Sequence, residues 1–269
     1  MKTGVSTASL FLRRNNEEAL PILRALGVPL AEVFLTSFRE YDQEFGKQIA
    51  ATNDGVEIYS AHVLNTQFEP QLFAAHPRVK EDAYYWLKRA LSAMREIGAK
   101  RYTFHGTARV KRASRSGEND NFSAMIGGFE ELIETAKNYV VQIGMENVEW
   151  STYNRPGVFE RLSASLPALG GVLDIKQARI SEFPYEFYLD EMGERLTHVH
   201  ISDITADGKL CMPGKGVFDF PLLIDRLKDV GFDGALIIEV YKENFKEEKE
   251  LKTACEFIDE LLYKKNCLR

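Results

Sequence analysis

The sequence predicts an α/β protein, a (β/α)8 TIM barrel forming a single domain over residues 1–269. Three observations predict it. Short apolar runs alternate with segments of helical periodicity, eight such runs occur in 269 residues, and no linker rich in Pro, Gly or Ser divides the chain. Barrels of this kind typically take about 250 residues. Alternation alone also admits a doubly wound open sheet. Eight strand units at this length select the barrel.

The candidate strands are 3–7, 31–36, 56–63, 101–106, 141–148, 171–178, 196–203 and 235–241. Between them, segments 17–26, 77–97, 122–139 and 221–230 place apolar residues at three- and four-residue spacings, and segment 247–263 does so after the eighth strand. Gly27, Gly98 and Gly231 each stop a helical run just before the next strand.

Composition narrows the function classes. The chain is 45% hydrophobic and 28% charged, ordinary for a globular protein with a substantial core. No run of about 18 apolar residues predicts a membrane span, and the first residues lack the pattern of a signal peptide. Cys211, Cys255 and Cys267 are widely spaced, with no C-x-x-C, which reads as reduced thiols in a cytoplasm. A net charge of −6 argues against broad binding to nucleic acid or anionic membrane. The local exception is Arg109, Lys111, Arg112 and Arg115 in loop 107–121, where a solvated loop is preferred over an anion site.

The active site of a parallel barrel lies at the C-terminal ends of its strands. His62 ends the third predicted strand, His105 the fourth, Glu146 and Asn147 the fifth, and Asp174 and Gln177 the sixth; His198, His200 and Asp203 end the seventh, and Glu239 the eighth. Four of the five histidines therefore sit at strand ends, which scatter would not produce. Asp174 follows the apolar run "GGVL" directly, and a carboxylate there is costly unless hydrated, paired or bound to metal. Taken singly, each acid more often caps the next helix and each His is more often a bonded core or loop residue. Taken together, Glu146, Asp174 and Glu239 at one mouth repel each other and need a cation. Three carboxylates with one neutral imidazole make a hard, oxygen-rich site for one divalent metal ion, Mn²⁺, Mg²⁺ or Co²⁺ at least as well as Zn²⁺.

The ordered set "MEN", "LDIKQ", "HVHISD", "PGKG" and "IIEVY" resembles the xylose isomerase-like TIM barrels over nearly the whole chain. That superfamily holds sugar and sugar-phosphate isomerases and epimerases, inosose dehydratases, hydroxypyruvate isomerases and apurinic endonucleases. Its epimerase branch implies one divalent ion held by Glu146, Asp174, His200 and Glu239. It further implies that Glu146 and Glu239 are the catalytic acid and base around a metal-stabilised enediolate. The endonuclease branch implies three zinc ions. His62 and His105 match two of its histidines, but Gln177 stands where that branch has His, and "DGKLCMPGKG" lacks its Asp-x-His pair. The epimerase branch also places a substrate-contacting His at Gln177 and an Arg after the seventh strand, both missing here, with Lys176 or Lys215 as substitutes.

Loop 204–220 is long enough to cover the mouth, and its Pro213, Gly214, Lys215 and Gly216 read either as a structural turn or as a phosphate cradle. Tyr153 and Trp150 read equally as a sugar-stacking rim and as loop packing. The expectation is a metal-dependent sugar or sugar-phosphate isomerase or epimerase. Its substrate-binding residues are expected to be His62, His105, Gln177, Lys176, His198 and Lys215. A polyol or inosose dehydratase, a sugar-binding barrel without turnover, and an endonuclease-type hydrolase are the alternatives, in that order. A small sugar is the expected partner, with a homo-oligomer left open and neither membrane nor nucleic acid expected.

Overall fold

The computed structural model describes residues 1–64, 67–107 and 118–267. Eight parallel strands, β1 (Lys2–Ser6), β2 (Leu30–Leu35), β3 (Glu57–Val63), β4 (Arg101–Phe104), β5 (Gln142–Glu146), β6 (Gly170–Asp174), β7 (Leu196–Ile201) and β10 (Ala235–Ile238), close into a barrel. β10 pairs with β7 on one side and with β1 on the other, which seals the ring. A small antiparallel hairpin of β8 (Asp203–Ile204) and β9 (Leu210–Cys211) stands in the loop after β7. The (β/α)8 prediction holds.

The outer layer is α1 (Asn16–Ala25), α2 (Gln43–Thr52), α3 (Pro77–Glu96), α4 (Glu118–Lys137), α5 (Val158–Ser165), α6 (Ile175–Ile180), α7 (Tyr185–Met192), α8 (Phe220–Asp229) and α9 (Lys249–Cys267). Gly27, Gly98 and Gly231 follow α1, α3 and α8 at φ of +78°, +84° and +72°, the left-handed conformation that ends a helix at low cost in glycine. Among the described residues no helix is long and apolar enough to cross a membrane.

Side-chain alternation divides each strand. Val33, Leu35, Phe104, Leu173, Val199 and Ile201 face the helices and join the main apolar cluster. The opposite faces line the lumen. Leu30, Ala235 and Ile237, with Tyr59 packed against them, form a separate apolar plug low in the barrel. Above the plug the lumen is polar and still buried, with Glu32, Ser60, His62, Thr103, His105, His198 and His200 all inside it.

The sixth strand is shorter than expected. It ends at Asp174, and residues expected to continue it to 178 form α6 instead. Asp174 caps that helix, its Oδ1 accepting from the Gln177 N–H at 2.9 Å, and Ile175 and Ala178 bury one side of the turn. Helices α2, α5 and α7 were not expected either. α2 carries Gly46 within it. It lies so close to α3 that an added Cβ would come within 2.7 Å of the Ala93 carbonyl oxygen. Glycine there serves helix–helix contact, whereas in sequence it reads as a breaker.

Candidate metal centre at the barrel mouth

Glu146 ends β5, Asp174 ends β6, His200 lies in β7, and Glu239 is the first residue past β10. The register sets Asp174 beside His200 and His200 beside Ile237, so alternation turns Glu239 to the same lumen face. One ligand atom from each of Glu146, Asp174, His200 and Glu239 lies within 4.8 Å of the other three. His200 Nδ1 is 3.0 Å from Glu146 Oε1 and 2.9 Å from Glu239 Oε2. Asn147 fixes the β5–β6 seam by bonding the Asp174 backbone twice, Oδ1 accepting from its N–H at 2.7 Å and Nδ2 donating to its carbonyl at 2.9 Å.

The donor set fits a divalent cation. Three hard carboxylate donors and one borderline imidazole meet in a largely buried site. Asp174 Oδ2 is buried and has no hydrogen-bond partner among the described residues, a cost that a cation would remove. Lys176 already offsets part of the charge. Its buried Nζ lies 3.3 Å from Asp174 Oδ2 and 3.8 Å from Glu239 Oε2. Burial opposes its charge, but these carboxylates hold its pKa above the ordinary lysine value. The two glutamates titrate apart. Burial raises Glu146 despite His200 and His105. At Glu239 Lys176 and His200 overcome burial and lower the pKa.

Two further carboxylates stand behind the histidines. Glu32, fully buried in β2, holds Ser60 Oγ at 2.8 Å and Thr103 Oγ1 at 2.7 Å on its Oε2. Its Oε1 faces His200 Nε2 at 3.0 Å. Burial would raise its pKa, but the charges of His200 and His62 and the His198 hydrogen bond hold it well below the usual carboxylate range. Glu69, in the turn Glu69–Phe73 after β3, accepts from Tyr102 Oη at 2.7 Å and pairs with His105 Nδ1 at 2.9 Å. Burial lowers His105, but Glu69, with Glu146 and Glu239, outweighs it and raises the pKa to about 9.

The structure brings together most of the expected site residues. His62 and His105 lie side by side with ring centroids 5.8 Å apart, and His105 lies 5.9 Å from the Trp150 ring. Both ring nitrogens of His62 are buried without hydrogen-bond partners among the described residues. His198 is placed lower, sealed within the lumen against Thr103, Glu32 and Thr197. Gln177 sits on α6 and accepts from the Glu149 N–H at 3.3 Å. Tyr153 is core, packed on Phe159 and Tyr188. Arg109, Lys111, Arg112 and Arg115 lie outside the described residues.

Lys215 does not face the acidic cluster in this structure. Its ammonium pairs with Glu250 of α9. Nor does the "PGKG" turn present free N–H groups, because Asp203 takes them. Its Oδ2 accepts from Gly214 and Gly216, and its Oδ1 from Phe218, each at 3.0 Å. The turn is thus a strut between β8 and α8, and the phosphate-cradle expectation loses its donors. A Cβ on Gly216 would come within 2.3 Å of both Asp203 Oδ1 and the Ile204 carbonyl. Gly216→Ala is therefore expected to destabilise the fold by about 2 kcal/mol, read as a lowered denaturation midpoint at unchanged slope.

Glu32 and Glu69 were not found from the sequence. Glu32 had a signal, a lone carboxylate inside the apolar run "LAEVFL". Glu69 had none, because its turn carries no periodicity.

The chain belongs to the xylose isomerase-like TIM barrel family, whose model matches residues 20–261. Among curated proteins it is similar to the uncharacterized protein MJ1311 of Methanocaldococcus jannaschii, 29% identical over 161 residues. That match takes in 55% of this chain, and the chain spans about half (52%) of the length of that relative. Among solved structures it is similar to D-psicose 3-epimerase from Clostridium cellulolyticum H10, with a TM-score of 0.77 at 15% identity over 98% of this chain and 99% of that one. It is also similar to an L-ribulose 3-epimerase (TM-score 0.75, 17% identity, 100% and 98% covered). The 3-keto-D-glucoside 4-epimerase of E. coli is a third such structure (TM-score 0.75, 16% identity, 97% and 99% covered). At these identities the likeness is one of fold.

Proposed function

We propose that the chain is a divalent-metal-dependent isomerase or epimerase of a sugar or sugar phosphate, with Glu146 and Glu239 moving a proton at carbon. The observation that carries this reading is the convergence of Glu146, Asp174, His200 and Glu239 within 4.8 Å at the barrel mouth. The epimerase names of the neighbouring folds support it. These four residues would hold Mn²⁺, Mg²⁺, Co²⁺ or Zn²⁺, which when bound supplies Lewis-acid polarisation of adjacent substrate oxygens.

The residues do the rest. Glu146 and Glu239 enter from strands that flank β6 and β7, so a sugar across the mouth meets a carboxylate on each side. One takes the proton from the carbon beside the carbonyl. Return from the other to the opposite face of that carbon gives an epimer. Return to the neighbouring carbon, with a hydroxyl proton moved in the opposite sense, gives an aldose–ketose pair. Lys176, His62 and His105 are assigned to substrate oxygens, with Gln177 at the edge. Lys176 offers a fixed positive charge, and His62 offers two ring nitrogens with no hydrogen-bond partner among the described residues.

The test is exchange in D₂O with Mn²⁺ over a panel of ketoses and their phosphates. Deuterium is expected beside the carbonyl of at least one, lost with chelator and restored by metal. A metal-loaded protein that labels none of the panel would refute the assignment.

A further inference from the structure

His200 belongs to two clusters at once. Its Nδ1 faces Glu146 and Glu239 at the mouth. Its Nε2 faces Glu32 one layer deeper, and Glu32, His198 and His200 also bring ligand atoms within 4.8 Å of one another. The deeper group has the composition of a second metal site. It cannot act as one beside the first, because a neutral imidazole has a single lone pair, and a His that ligates through Nδ1 carries its proton on Nε2.

That proton has one acceptor facing it. Glu32 Oε1 lies 3.0 Å from His200 Nε2. Both atoms are buried, and neither has an in-line hydrogen bond among the described residues. The other oxygen, Oε2, is occupied by Ser60 and Thr103, with His198 Nε2 at 3.2 Å. The carboxylate is therefore held by one oxygen, and the second lies 3.0 Å from His200 Nε2 and 3.8 Å from His62 Nδ1. Metal-binding histidines commonly donate their remote N–H to such a carboxylate, which fixes ring and tautomer and raises ligand basicity.

We infer that Glu32 is a positioning residue: it accepts the His200 Nε2–H and so presents Nδ1 as a lone pair to a divalent ion at the mouth. This rests on the metal-ligand reading of His200. The inference makes the deeper cluster a support for one metal site rather than a second site. It also accounts for a fully buried carboxylate in the middle of an apolar strand.

The experiment titrates metal-free protein with Mn²⁺ by calorimetry and counts ions per chain. Wild type is expected to bind one. Glu32→Gln, which keeps the shape but removes the charge, is expected to bind one about 10- to 100-fold more weakly. Ser60→Ala loosens the same polar layer without touching Oε1 and is expected to stay within about threefold. Unchanged affinity in folded Glu32→Gln overturns the inference while leaving the metal reading in place. Two ions in wild type with one lost in Glu32→Gln overturns it in favour of a second site. No binding by wild type ends both readings. Should Glu32→Gln fail to fold, long-range ¹⁵N–¹H spectra of Zn²⁺-loaded wild type decide. The Nε2–H tautomer of His200 is expected, and the Nδ1–H tautomer overturns the inference.

Discussion

Glu146→Gln and Glu239→Gln are each expected to lower deuterium exchange into substrate by about 10²- to 10⁴-fold at saturating Mn²⁺, the range lost with a positioned acid or base. Glutamine keeps an oxygen that can face the ion but cannot accept a proton at neutral pH. Asp174→Asn supplies the contrast, because Asp174 is a candidate ligand with no assigned proton. Its exchange should fall mainly through weaker metal binding and recover as Mn²⁺ is raised. The two behaviours separate in a plot of rate against metal concentration. If saturating metal returns both glutamate variants to the wild-type rate, neither carboxylate moves the proton.

As pH falls from 6.5 to about 4, the metal-free protein is expected to lose about 3 kcal/mol of stability through one residue, His62. Burial is the largest influence on that imidazole. Glu32 and Glu239 pull the other way, and the result is a pKa lowered to about 4. The folded state therefore refuses a proton that the unfolded chain takes up near pH 6.5. Between pH 6.5 and about 4 the unfolded state binds more protons, so stability falls as pH falls, and below 4 this contribution is exhausted. His105 works in a different window. Raised to about 9, it stabilises fully below pH 6.5, and that gain is lost as pH rises through 9. Denaturant midpoints at pH 4, 5, 6 and 7 should show an acid slope in wild type that His62→Gln reduces. Equal slopes in the two proteins would remove His62 as its source.

The barrel was legible because its signals are cumulative. Eight apolar runs and the glycines at 27, 98 and 231 do not depend on any single residue. The strand-end set was legible for the same reason, since Glu146, Asp174, His200 and Glu239 each follow an apolar run and share one end of the fold. What escaped depends on contacts that lie far apart in sequence. Lys215 looks free in "PGKG", but its partner Glu250 is 35 residues away. The turn's N–H groups look available until Asp203 folds across them. Glu69 meets His105 only because the turn after β3 folds over β4. In "DIKQARI" the β-branched Ile175 favours a strand, and the capping carboxylate of Asp174 is what starts the helix.

β7 illustrates how one strand serves two tasks. Val199 and Ile201 lie in the apolar layer under the helices, while His198 and His200, which alternate with them in sequence, lie in the lumen. A change at one set reaches the other only through the backbone. Substitutions under the helices can drift among aliphatic residues of similar volume without rewriting the chemistry. Substitutions in the lumen can alter the candidate metal centre and the polar layer behind it without rebuilding the shell. Shell stability and the chemistry of the mouth are thereby inherited as nearly separate characters, written on alternate letters of "LTHVHI".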